Sequence, residues 1–300
     1  MTDVARAIRR QLRDMGRRVT PEVIQDTHQL YVAPHRERGY LAPSVERDLA
    51  YGTDPRHRLD VHHAGLGAVV KRPVLLFVHG GGFTSGDKRV GDLPFQDHLG
   101  GWAVRHGMVG VTMNYRLAPQ HRWPSGAEDV GAAVEWLATE IGGYGGDAGR
   151  IVVAGHSAGA SHVAGFLACQ GRTPPRHIRA AILLSGVYDV AAGSSSQGLS
   201  PILQSYFGTE VSKYPEMSTI PGLLTSTVPT LVGVAELDGP PAHQQAWLLT
   251  SLLFDRDGLI PPLVWAPGHN HVSYVLGLGV DDDSALDVAL RRFVAGLFDT

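Results

Sequence analysis

A single cysteine, Cys169, stands in 300 residues, so no disulfide can form within the chain. Its place in an apolar, helix-like stretch reads as a buried, inert thiol. No run of about 18 apolar residues occurs, so no transmembrane span is expected. The first 18 residues are rich in arginine but lack a continuous apolar segment, so they do not read as a secretory signal, and a cytoplasmic protein is expected. Charge of one sign is also missing: 26 Lys and Arg against 29 Asp and Glu leave a net charge of -3, which gives no reason to expect nucleic acid or an anionic membrane as partner. Fifteen histidines are present, yet none falls in HExxH or a Cys/His finger spacing, so no metal is expected. The pair His62-His63 reads as solvent-exposed, at the end of a surface strand. There is no internal repeat and no low-complexity tract beyond Ser194 to Ser196.

What is present is 43% hydrophobic residues, ample for a sizeable core. Val4, Ile8, Leu12 and Met15 recur at helical spacing, and Thr20-Pro21-Glu22 opens a second helix through about Tyr31. Residues 1–40 therefore form a helical segment ahead of any strand, which serves either as packing or as a lid. Val45 to Leu49 and Arg58 to His62 alternate around turn residues and predict a hairpin. Beyond it, apolar runs at Val74 to Val78, Met108 to Met113, Ile151 to Ala154, Ile178 to Leu184, Thr230 to Ala235 and Leu263 to Ala266 alternate with helical periods. Strands apolar throughout belong to a parallel sheet covered on both faces, which makes the class α/β. The last helix starts at a Ser284 cap. Between Val190 and Val228 the alternation lapses, and residues 191–226 read as an insertion with one or two short helices; residues 41–190 and 227–300 make the core.

The chemistry gathers at Gly155-His156-Ser157-Ala158-Gly159, a GxSxG set between a strand and a helix. On such a turn the serine hydroxyl projects above the sheet. It becomes a nucleophile only when a base takes its proton, and the resulting oxyanion needs N–H donors. His79-Gly80-Gly81-Gly82-Phe83 directly follows an earlier strand, where three glycines let backbone amides converge with that of Ala158. An acid and a histidine should then follow on loops after later strands. Asp238 is the favoured acid, with Glu236 beside it suited to loop structure and Asp189 as the remaining candidate. His271 is the favoured base, with His269 two residues before it; the His269/His271 pair lacks a third ligand for a metal. His156 reads as a neighbour shaping the elbow.

Those residues, with Tyr51-Gly52, Arg58 to Val61, Asn114-Tyr115-Arg116-Leu117-Ala118-Pro119 and Gly145-Gly146-Asp147, resemble an α/β-hydrolase of the hormone-sensitive-lipase-like esterase group. His156 and Ala160 resemble the neighbouring arylformamidase and feruloyl-esterase-like branch. The resemblance implies an α/β-hydrolase fold with a mostly parallel sheet and a small helical cap, Ser157, Asp238 and His271 as nucleophile, acid and base, and Gly81, Gly82 and Ala158 as oxyanion donors. The expected activity is serine-dependent hydrolysis of small to medium carboxylic esters without any metal or organic cofactor. An arylformamide-type amide is the closest alternative, and a non-catalytic small-molecule-binding protein on the same fold is the alternative of another class. Phe83, His156, Tyr188, Tyr206 and Phe207 are the expected pocket residues. The exposed last strand hints at a homodimer.

Overall fold

The computed structural model describes residues 3–65, 71–168, 177–193, 199–281 and 284–298; Cys169 and Ser194 to Ser196 lie outside them. Along the chain come α1 (Asp3–Met15), α2 (Pro21–Arg38), β1 (Ser44–Ala50), β2 (Arg58–His63), β3 (Arg72–Val78), α3 (Asp97–Arg105), β4 (Val109–Met113), α4 (Ser125–Glu140), β5 (Gly146–His156) and α5 (Ala158–Leu167). They are followed by β6 (Ile178–Leu184), α6 (Pro201–Phe207), α7 (Ile220–Thr225), β7 (Thr230–Leu237), α8 (Pro240–Asp257), β8 (Leu263–Asn270), α9 (Ser273–Leu276) and α10 (Ala285–Phe298).

The strands form one eight-stranded sheet in the order β1-β2-β4-β3-β5-β6-β7-β8. The β1–β2 and β2–β4 pairs are antiparallel and all others parallel. Side chains alternate between faces, so a strand apolar at every position must be covered on both. Val74, Leu76, Val78, Ile151 and Val153 enter one core with Val130 and Val134 of α4, Val163 of α5 and Leu249 of α8. Leu75, Phe77, Val152 and Ala154 enter the other with Leu99 and Trp102 of α3 and Leu286 and Leu290 of α10. At about 1.5–3 kcal/mol per fully buried aliphatic side chain, these two layers dominate the stability of the sheet. Because β3, β5, β6, β7 and β8 run parallel, their carboxyl ends share one rim, where a sheet of this kind carries its site.

Three expectations change. His62 and His63 are buried rather than exposed, at 0% and 1%, because β2 is not an outer strand: it lies between β1 and β4, and Gly100 of α3 packs on the His62 ring. Helix α2 runs past Tyr31 to Arg38, through Pro34, because His35 Nε2–H donates to Leu276 O (2.7 Å) and anchors the extra turns. Strand β8 continues past Ala266 to Asn270, because the Glu236 carboxylate accepts the Gly268 N–H (2.5 Å) across a register shift in the β7–β8 pair. The 191–226 stretch holds α6, a 3₁₀ turn over Val211–Met217 and α7. The Ser284 cap is present, its Oγ accepting the Asp287 N–H (3.2 Å).

Candidate active site

Strand β5 ends at His156 and α5 begins at Ala158, leaving Ser157 alone at the apex with φ 55° and ψ -121°. A non-glycine residue in that region is strained and persists only when its surroundings hold it. Here Ser157 N donates to Leu184 O (2.8 Å), and neither flanking glycine has room for a methyl group. A Cβ on Gly155 would strike the backbone of Gly159, and one on Gly159 would strike the Val78 carbonyl. The Ala158 amide lies in the first turn of α5, where no carbonyl of the helix is available to it.

The glycine loop after β3 lies against that apex: the Cβ position of Gly80 is 3.1 Å from Ser157 Cβ. Gly81 (φ 137°) and Gly82 (φ 58°) adopt conformations open to glycine. Ser85 secures the loop, its N and Oγ both donating to Gly81 O (3.0 and 2.9 Å). His79 secures it from below, donating from Nδ1 to Gly80 O (2.6 Å) while stacking on Tyr115, whose hydroxyl donates to His79 O (3.0 Å). Burial pushes His79 down to about 4, so the ring is neutral at ordinary pH.

On the other side of Ser157, His271 Nε2 lies 2.9 Å from Ser157 Oγ and His271 Nδ1 2.5 Å from Asp238 Oδ1. A carboxylate only accepts, so Nδ1 carries the proton and Nε2 is free to accept the serine's. The His271 side chain is 16% exposed, whereas Asp238 is fully buried. Burial alone would raise the Asp238 carboxyl; hydrogen bonds from His271, Ser185 Oγ (2.7 Å) and Ala235 N (2.9 Å) outweigh it and hold the group below the ordinary carboxylate range. Ser185 has one proton, given to Asp238, so Tyr274 OH donates to Ser185 Oγ (2.5 Å). An imidazole held between a hydroxyl and an ionised carboxylate can take the hydroxyl proton as the oxygen attacks an electrophile.

The remaining candidates go elsewhere. His269 turns inward to Ser273 Oγ (3.1 Å), and burial pushes it down to about 3. Asp189 accepts from Ala192 N (3.0 Å), and Glu236 braces β8. Phe83, Tyr206 and Phe207 pack together as a buried aromatic cluster rather than an exposed pocket lining, Phe83 and Tyr206 stacked at 4.5 Å, with Ile202 of α6 pressed onto Gly82. Tyr188 and His156 do not join that cluster. Tyr188 is 1% exposed in the core, its hydroxyl accepting from Gly186 N (3.2 Å), because its chain segment turns back under α5. The His156 ring points along the rim to His271 and is 7% exposed.

Ser185 and Tyr274 belong to no motif. The available signal was position: Ser185 is the first polar residue after an apolar strand, at the carboxyl rim of a parallel sheet. The loop that carries His271 is also tied to the N-terminal helices, Asn270 Nδ2 donating to Thr27 Oγ1 (2.9 Å). Among the described residues no group of three or more His, Cys, Asp or Glu could hold a metal ion, and no helix is long and apolar enough to cross a membrane.

The chain is similar to esterase LipI of Mycobacterium tuberculosis, 42% identical over 100 residues, which are 33% of this chain and 30% of LipI. It is also similar to the probable carboxylic ester hydrolase LipM of that organism, 29% identical over 215 residues, 68% of this chain and 48% of LipM. The chain thus spans between about a third and a half of the length of these curated relatives. A hyperthermophilic esterase of the archaeon Pyrobaculum calidifontis shares the fold at a TM-score of 0.72 and 23% identity, over 100% of this chain and 98% of that one. The family model described as alpha/beta hydrolase fold matches residues 75–254, more than half of the chain, from the strand before the glycine loop to beyond Asp238, and the chain belongs to that family.

Proposed function

We propose that the protein is a serine-dependent carboxylesterase. The observation that carries the reading is the unbroken line Ser157 Oγ, His271 Nε2, His271 Nδ1, Asp238 Oδ1 at 2.9 and 2.5 Å, with the glycine loop beside the serine. His271 takes the Ser157 proton as Oγ bonds to the ester carbonyl carbon, and the amides of Gly81, Gly82 and Ala158 hold the oxyanion. The ester C–O bond then breaks and His271 gives its proton to the leaving alcohol. Water attacks the acyl-serine by the reverse sequence, releasing the carboxylic acid and restoring the Ser157 hydroxyl. Asp238 keeps His271 in the productive tautomer and stabilises its charged form.

The esterase names of LipI and LipM agree with this reading. Ile202, seated on Gly82, limits the room above the loop and favours a short acyl group. A fluorophosphonate probe should label Ser157 in the folded wild-type protein and leave Ser157→Ala unlabelled. Absence of labelling would sink the enzymatic reading in favour of a binding protein. p-Nitrophenyl acetate should turn over faster than the octanoate; N-formylkynurenine turning over faster than either would move the assignment to the formamide side, to which His156 and Ala160 point.

A second copy of this chain is the proposed protein partner. β8 is an outer strand of the sheet, and Trp247 (75% exposed), Phe254 (45%), Ile260 (68%), Leu263 (51%) and Trp265 (49%) line a cleft of about 350 Å³ there, next to Leu259 (75%) in the chain. Their exposed area, on the order of 700 Å² at typical side-chain sizes, exceeds the usual patch of a monomer and approaches the ~800 Å² that each partner gives a stable interface. An edge strand paired with its own copy about a two-fold axis buries the same residues from both sides. Sedimentation should give a dimer that Trp247→Glu converts to monomer; a wild-type monomer at micromolar concentration would overturn the pairing.

A further inference from the structure

The residue before Ser157 has a task that the reaction scheme does not use. His156 Nε2 lies 2.7 Å from the main-chain carbonyl oxygen of His271, 115 residues away. A carbonyl only accepts, so His156 presents N–H at Nε2. The two rings lie 4.9 Å apart, tilted by 46°, and Tyr274 meets the His156 ring edge-on at 5.7 Å. The same Tyr274 donates to Ser185, which donates to Asp238. His271 is therefore held at two points: Asp238 grips the ring at Nδ1, and His156 grips the main chain from which the ring hangs.

We infer that His156 is a positioning residue, which by donating from Nε2 to His271 O sets the height and direction of the His271 ring relative to Ser157 Oγ. The inference rests on the reading of His271 as the base. Its physical ground is that His271 lies on a turn between β8 and α9 that is otherwise held by Asn270, whose Oδ1 accepts from Val272 N and Ser273 N at 3.3 and 3.0 Å, and by Ser273, whose Oγ accepts from Asn270 N (2.9 Å). A displacement of 1 Å at the reacting groups is enough to cost about 10²-fold in rate. Burial, joined by the nearness of His271, pushes His156 down to about 3, so it stays neutral and sets no fixed positive charge beside the imidazolium that forms on His271 during turnover. An ionised carboxylate at this site would lack the donor, and a cationic side chain would carry the charge.

The test compares His156→Phe, which keeps a ring and removes the donor, with His156→Gln, whose amide nitrogen reaches the Nε2 position, and His156→Asn, whose amide does not. On p-nitrophenyl acetate, H156F should lose about 10²-fold in kcat with KM within about twofold, and its fluorophosphonate labelling should slow by the same factor. H156Q should recover to within about fivefold of wild type, and H156N should resemble H156F. An H156F protein with wild-type kcat, or an H156Q as slow as H156N at equal Tm, would overturn the inference. Should H156F not fold, the H156Q and H156N pair decides alone, with equal kcat overturning it. Failure of the parent reading looks different: wild-type protein would then not label at Ser157, or His271→Ala would keep wild-type activity.

Discussion

The two sides of Ser157 are built from different materials. On the glycine-loop side, residues 79–82 and 155–159 are shaped by close backbone packing: Gly159 against the Val78 carbonyl, Gly81 against Ser85 and Gly155 against Gly159. On the His271 side, residues 235–238 and 268–274 are shaped by polar side chains: Asp238, Ser185, Tyr274, Asn270, Glu236 and His156. A backbone-packed region fails when volume is added. A polar one fails when a donor or acceptor is lost, even at constant volume.

That contrast orders the expected effects. Asp238→Asn keeps the volume and changes the hydrogen-bonding sense, so His271 would settle in the wrong tautomer and kcat should fall by about 10⁴-fold with KM little changed. Steady-state kinetics with a short-chain ester measures this, and a loss under about tenfold would show that the polar side is not what fixes His271. Gly159→Ala is the converse, adding one methyl and no polarity. Because the obstacle is the Val78 backbone rather than a flexible side chain, the variant should lose about 3 kcal/mol of stability. Thermal unfolding reads it directly, and an unchanged Tm would break the contrast.

Acid should act on both sides more gradually. Burial holds His79 at about 4 and His156, His162 and His269 at about 3, each below the ordinary 6.5. The unfolded chain protonates these rings below pH 6.5 and the folded protein does not, so their neutral burial is fully tolerated above pH 6.5 and opposes folding increasingly as pH falls towards 4. Each contributes up to roughly 1.4 kcal/mol per pH unit in that window. Tm should therefore drop by about 10 °C or more between pH 7.5 and 5. A flat Tm across the window would mean that water reaches the rings.

The same contrast explains what could be read in advance. The glycines around Ser157 and after β3 are contiguous in sequence, and strand-turn-helix context gives them a meaning without any partner. The parallel sheet was legible too, since Val74 to Val78 and Ile151 to Ala154 are apolar at every position. His62 and His63 were misplaced because a strand's neighbours in the sheet are not written in its own residues. Ser185 and Tyr274 went unnoticed because each is ordinary in its own segment and acquires its role by meeting Asp238.

Read alone, the chain sufficed for the α/β class, the elbow, the glycine loop and a choice among a few acids and histidines, because local backbone chemistry and periodicity are encoded by neighbouring residues. Tertiary structure decided that Asp238 and His271, rather than Glu236 and His269, meet at Ser157. It also decided that His156 faces His271, and that Trp265 of β8 and Trp247 of α8 stand in the open. Those outcomes depend on which strands lie side by side and which way each rim residue turns. Both follow from burying the two faces of the sheet at once, and no single segment encodes that.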